Sequence, residues 1–273
     1  MKFKTGCVLT LVALLTCKTL SPTLVKKSPS EIWTDYYTKN REIVSKDLSS
    51  ICERGQIYQN LASEYSKKFK QAGLNCNSKK LLDVLIAHEY VESQGNLRAK
   101  SKKNAKGPRQ FIESTAMRYG LKENKYVNEV YNPVKTARAA LDFMLEYSKK
   151  YGLLDLALLA YNAGPTRIKK VLNKHKKIKS INDISKEWIP NESYNYVHKI
   201  NSIAKMLENP KAYGLNISSK KVTLKNHVIK YGESLSKIAR DHNSTVNNIV
   251  KYNGIKNPSR IPANYSLKIP VNN

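Results

Sequence analysis

The chain has 273 residues, enough for one medium domain and a small second one, and its 41% apolar content supports a true core and excludes wholesale disorder. Its formal net charge of +27 points to a polyanionic partner or surface: nucleic acid, acidic lipid headgroups or an anionic cell-wall polymer. Charge alone does not choose among them.

The N-terminus chooses a compartment. Lys2 and Lys4 precede a short apolar run, Cys7 to Cys17, and Lys18 with a Ser/Pro/Lys-rich stretch follows at once. A run this short after a charged start reads as a secretory leader rather than a membrane span, so residues 1–30 are expected to be a signal peptide and linker on an exported protein. Leu14-Leu15-Thr16-Cys17 resembles a bacterial lipobox, in which Cys17 would carry lipid and anchor the chain to the outer membrane. Thr16 stands where a smaller residue is usual, and a cleaved soluble product is the equal alternative.

Residues 31–79 read as a helical region. Ile32, Trp33, Tyr36 and Tyr37 open one amphipathic pattern, and Ile57, Tyr58, Leu61 and Tyr65 another. Cys52 and Cys76 are the two cysteines beyond the leader. In an oxidising compartment an even pair fits a disulfide, which would add roughly 3 kcal/mol in the chain-entropy model; two buried free thiols fit the sequence equally well.

From 80 to 213 the pattern is a string of helices broken by Gly, Pro and Asn: 80–93, 112–118, 133–151, 153–163, 165–173 and 193–208. Residues 214–225 read as a linker. Over 226–271 the pattern changes to a short strand (227–230), two brief helices and a second short strand (266–270), a small appended module.

The most informative side chain is Glu92, at the polar end of the apolar helix Leu81, Leu82, Val84, Leu85, Ile86, Ala87, Val91. A carboxyl at such a place is partly desolvated, which raises its pKa and lets it carry a proton for a leaving oxygen near neutral pH. His88-Glu89-Tyr90-Val91-Glu92 comes within one residue of a zinc-protease helix, but the fifth position is Glu rather than His, so no metal is expected. His88 reads as a packing or surface residue. Glu89 either raises the pKa of Glu92 further or is solvated or ion-paired.

Four ordered blocks follow: Glu92-Ser93-Gln94-Gly95-Asn96; Gly107-Pro108-Arg109-Gln110; Ala160-Tyr161-Asn162-Ala163-Gly164; and Glu192 ahead of Tyr196-Val197. Together they resemble the lysozyme-like lytic transglycosylases of glycoside hydrolase family 23, of the membrane-bound murein transglycosylase D type. The resemblance implies a mainly α, lysozyme-like catalytic domain that cleaves the MurNAc–GlcNAc β-1,4 bond of peptidoglycan without water, leaving a 1,6-anhydromuramic end. It makes Glu92 the single acid/base and Ser93, Gln110, Tyr161, Asn162 and Glu192 substrate-binding residues. Glycosidases commonly use two carboxylates. The loop 93–111 contains no acidic residue, which fits a one-carboxylate mechanism and argues against the alternative of a hydrolytic muramidase.

The chain departs from that family at Arg109, where a bulky apolar side chain is usual, and in its basic loop of Lys100, Lys102, Lys103 and Lys106. Arg109 keeps open a catalytically inactive wall-binding protein. The lysines are either contacts for muramic lactyl or stem-peptide carboxylates or a solvated charge run. Residues 227–270 resemble a LysM domain, a βααβ module that binds N-acetylglucosamine-containing glycans. The resemblance implies Gly232, Ser234, Asn253, Gly254 and Ile255 as glycan contacts. The expected partner is therefore a peptidoglycan strand, bound by a monomer without cofactor or metal; no nucleic-acid recognition motif accompanies the charge.

Overall fold

The computed structural model describes residues 27–218 and 221–272. Residues 1–26, with the leader and Cys17, lie outside that range. Among the described residues no helix is long and apolar enough to cross a membrane.

Three helices open the chain: α1 (Pro29–Lys39), α2 (Arg41–Cys52) and α3 (Gly55–Gln71). Ser28 caps α1 in a capping box with Glu31, with Pro29 at the first helical position. The sequence patterns mark α1 and α3, whereas α2, with Val44, Leu48 and Ile51 buried, escapes them. Next comes α4 (Ser78–Ser93), started by the side chain of Asn77 and ended by Gln94 in the left-handed conformation. Its residues Leu81 and Asp83 to Tyr90 are all buried, because it is packed on several sides by α2, α3 and α9. It is the central rod on which the rest is assembled.

The remaining helices of this domain are α5 (Glu113–Arg118), α6 (Pro133–Tyr151), α7 (Leu154–Ala163), α8 (Pro165–Lys174) and α9 (Asn191–Glu208). Their bounds lie within two residues of the sequence reading, because Asn132-Pro133, Gly152 and Gly164-Pro165 punctuate the chain unambiguously.

The C-terminal module is β1 (Val222–Val228), α10 (Leu235–Asp241), α11 (Val246–Asn253) and β2 (Ser266–Asn272). The strands pair antiparallel from Val222 opposite Asn272 to Val228 opposite Ser266. Strand β1 begins inside the stretch read as linker, and 222–225 are ladder residues rather than spacer. Val222 is buried and its N–H donates to Glu53 O at 3.0 Å, so the strand starts where the helical domain holds it.

Two corrections concern the cysteines and the module's setting. Cys52 and Cys76 are both free thiols, not a disulfide, and burial pushes each pKa up to about 11, which keeps them protonated. The module, for its part, is docked rather than held at a distance. Its core of Ile229, Leu235, Ile238, Ile249, Ile255, Leu267 and Ile269 is completed by Val127 of the helical domain, 1% exposed. A core of some ten residues is small, and borrowing an apolar side chain from a neighbour enlarges it.

Candidate active site

A cleft of about 900 Å³ runs between the end of α4, the loop 101–112, the C-terminal end of α7 and the start of α9. Glu92, Gln110, Tyr161, Asn162 and Glu192 all line it. Five positions spread over a hundred residues of sequence thus converge on one surface.

Glu92 sits in the last turn of α4 with 13% of its side chain exposed. Tyr196 of α9 donates its hydroxyl to Glu92 Oε1 at 2.5 Å. The carboxyl pKa is raised to about 7. Burial is the dominant cause; the Tyr196 hydrogen bond and the Arg109 charge oppose it, and the carboxylate of Glu192 adds to it. A carboxyl poised at that value can both give and take a proton at neutral pH.

The loop facing Glu92 is built around glycine and hydrogen bonds. Gly107 has φ +79°, and a Cβ there would lie 1.7 Å from Val130 O, so only glycine fits. Ser93 Oγ donates to Pro108 O at 2.8 Å, tying the loop to the helix end. This bond gives Ser93 a structural role, and among the cleft-lining side chains it does not appear. Gln110 adopts a left-handed φ of +47° and donates Nε2 to Gly107 O at 2.8 Å, which presents its amide along the cleft wall.

Tyr161 does not reach Glu92 by a hydrogen bond; its hydroxyl donates to Arg109 O at 2.9 Å. The partner that reaches the carboxyl is Tyr196, which the sequence places in the late block but without a signal separating its role from packing. Asn162 accepts from Ser193 Oγ at 2.7 Å, joining the end of α7 to the start of α9. Glu192 is exposed in the first turn of α9, where the helix dipole favours an anion.

Arg109 is fully buried and is not among the residues lining the cleft. Its guanidinium donates to Leu85 O at 2.9 Å, His88 Nδ1 at 3.0 Å and Glu89 Oε2 at 3.2 Å. Glu89 also accepts from Arg54 at 2.5 Å and Tyr58 at 2.5 Å. Glu89 is therefore ion-paired within the core, the second of its two expected settings. Of the basic loop, Lys102 and Lys103 line the cleft, and Arg167 and Lys199 face them across it.

In the C-terminal module Gly232 and Ser234 are exposed, beside Tyr231 at 98% exposure. The other three expected glycan contacts are placed elsewhere. Asn253 clasps the strand, its side chain bonded to Ile249 O, Lys268 O and Lys268 N, each at 2.8 Å. Gly254 O accepts from Asn128 N at 2.8 Å, and a Cβ there would lie 2.3 Å from Asn128 O. Ile255 is 1% exposed, bridges to Val127 and accepts at its carbonyl from Arg98 at 3.1 Å. Gly254 and Ile255 thus lie at the domain interface and Asn253 inside the module, rather than on an open face. Among the described residues no group of three or more His, Cys, Asp or Glu is placed to hold a metal ion.

Comparison with known families agrees with this geometry. Residues 68–184 match the transglycosylase SLT domain and residues 227–270 the LysM domain. The chain therefore carries a mainly α-helical SLT domain followed by a small β-containing LysM module. It is homologous to membrane-bound lytic murein transglycosylase D of Escherichia coli K12, with 32% identity over 134 residues, 49% of this chain and 30% of that protein. The same protein of Escherichia coli O6:H1 matches equally. The chain thus spans about a third of the length of these relatives. Among solved structures it is similar to the 70 kDa soluble lytic transglycosylase of Escherichia coli, at 19% identity and a TM-score of 0.44, covering 66% of this chain and 30% of that one.

Proposed function

We propose that this protein is an exported lytic transglycosylase that cleaves the MurNAc–GlcNAc β-1,4 bond of peptidoglycan in the bacterial cell envelope. The observation that carries the reading is Glu92: a desolvated carboxyl with a pKa of about 7, held by Tyr196 in an open cleft. The homology to lytic murein transglycosylase D supports it.

In this mechanism Glu92 donates its proton to the glycosidic oxygen as the bond from that oxygen to the muramic C1 breaks. The muramic N-acetyl carbonyl stabilises the cation at C1. The Glu92 carboxylate then takes the proton of the C6 hydroxyl, whose oxygen closes on C1 to give the 1,6-anhydro ring. Glu92 ends protonated, ready for the next cut. Tyr196 steadies the carboxylate between the two transfers, and Gln110, Asn162 and Glu192 supply polar contacts for the sugar. Lys102 and Lys103 face the carboxylates of the muramic lactyl groups or stem peptides.

One observation supports a second reading. Glu192 is another carboxylate on the cleft wall, and a water activated there would give hydrolysis and a reducing end. Its exposed place on α9, in contrast to the enclosed Glu92, favours the first reading.

The LysM module would hold the enzyme on the wall through its exposed Tyr231–Ser234 face, aided by salt-sensitive attraction of the basic chain to an anionic polymer. Digestion of purified sacculi by wild type and Glu92→Gln tests the catalytic claim. Release of soluble fragments by wild type alone supports it, and equal release by both defeats it.

A further inference from the structure

The buried cluster behind Glu92 ties Arg109 of the loop to α4. Two guanidinium groups, Arg54 and Arg109, share the single carboxylate of Glu89 in the core, so the cluster carries a net positive charge a short way from Glu92. Arg109 also donates to His88 Nδ1 at 3.0 Å. A guanidinium has no acceptor, so Nδ1 must be the unprotonated nitrogen, and the ring proton lies on Nε2. Protonating Nδ1 as well would set two donors, both cationic, against each other. Burial and the Arg109 charge push the His88 pKa well below its ordinary value, in accord with that geometry.

His88 Nε2 is fully buried and without a hydrogen-bond partner. It lies 3.9 Å from Glu92 Oε1, one helical turn away on α4. A buried donor left unsatisfied is destabilising unless it has a use. We propose that His88, locked by Arg109 as the neutral Nε2–H tautomer, is a positioning residue that supplies a second donor to the Glu92 carboxylate when Glu92 gives up its proton. Tyr196 already occupies Oε1 from α9, and closing the gap from 3.9 Å to hydrogen-bond distance needs about 1 Å of side-chain movement. The other groups around the carboxyl are Glu192 of α9, Tyr161 of α7 and Arg109 of the loop. Tyr161 packs edge-on against the His88 ring at 4.6 Å and keeps it from turning. His88 cannot replace Glu92 as acid, since its free nitrogen faces a permanent cation.

The inference rests on Glu92 being the acid/base. It is tested first by nitrogen NMR of the full chain labelled at histidine, with the His88 signals assigned by their loss in His88→Asn. Expected is a protonated Nε2 and an unprotonated Nδ1 from pH 5 to pH 8. A protonated Nδ1, or conversion to imidazolium in that range, overturns the proposal without touching the role of Glu92.

The second test is the pH profile of sacculus digestion. His88→Asn keeps an acceptor for Arg109 but is too short to carry a donor to the Nε2 position, and is expected to lower kcat about tenfold with KM unchanged, while the alkaline limb moves to higher pH. Arg109→Met, which also removes the cation, is expected to move that limb further. An unchanged limb in a folded His88→Asn protein contradicts the proposal. A Glu92→Gln protein that still cleaves removes the acid/base reading, and this inference with it.

Discussion

The two ends of the molecule are built on opposite principles. In the SLT domain five of the six residues expected at the cleft converge on it, with Ser93 left out, whereas in the LysM module three of five expected contacts are buried. The cleft is organised by chemistry: a desolvated carboxyl, a phenol bonded to it and a buried cationic cluster behind it. The module is organised by packing. Ile255 completes its core beside Val127, Gly254 packs against Asn128, and Asn253 clasps β2. A conserved-looking motif thus marks chemistry at one end and architecture at the other, and burial is what separates the two.

The comparison breaks most sharply at Glu92. Glu92→Gln is expected to reduce cleavage by at least about a thousandfold, since both proton transfers pass through one atom pair. The same variant should gain stability. The Glu92 pKa is raised in the folded state to about 7 against 4.5 for an ordinary glutamate, so ionising it opposes folding. That cost is absent below the unfolded pKa, grows as pH rises from 4.5 to 7 and is constant above. Denaturant unfolding should show Glu92→Gln more stable by about 3 kcal/mol at pH 8, with the gain vanishing near pH 4. A gain independent of pH would contradict the raised pKa.

Gly107→Ala is the next largest. A Cβ at 1.7 Å from Val130 O, on a backbone at φ +79°, forces the loop out of place, with an expected loss of about 3 kcal/mol and of most activity. At the other end Val127→Asp puts a carboxylate into the module's core. Expected is a loss of about 2–3 kcal/mol and faster hydrogen exchange in 222–272, with cleavage of soluble glycan little changed. If exchange there is unaffected, the docking described above is wrong. The smallest change is Tyr196→Phe, which removes the 2.5 Å bond and raises the Glu92 pKa. It should lower kcat about tenfold and move the alkaline limb upward.

Much of this was legible from residues alone. The helix ends at Asn132-Pro133, Gly152 and Gly164-Pro165 fall where turn chemistry demands, and Glu92 stands out as the carboxyl at the polar end of an apolar helix. What escaped depends on three-dimensional placement. Arg109 reads as an intrusion into a sugar site, yet it turns inward to Glu89 and His88, and spacing carries no sign of which way a side chain turns. Tyr196 lies in a block rich in tyrosine, where composition does not single out the one that meets Glu92. The linker reading fails at Val222 because short polar strands resemble spacers until a partner is known. The cysteines count as a pair in sequence but stand as separate buried thiols.

The most direct measurement is mass spectrometry of the fragments released from purified sacculi by the wild-type chain. The account predicts 1,6-anhydromuramic ends from wild type and no fragments from Glu92→Gln. Reducing muramic ends, or fragments from both proteins, would contradict it.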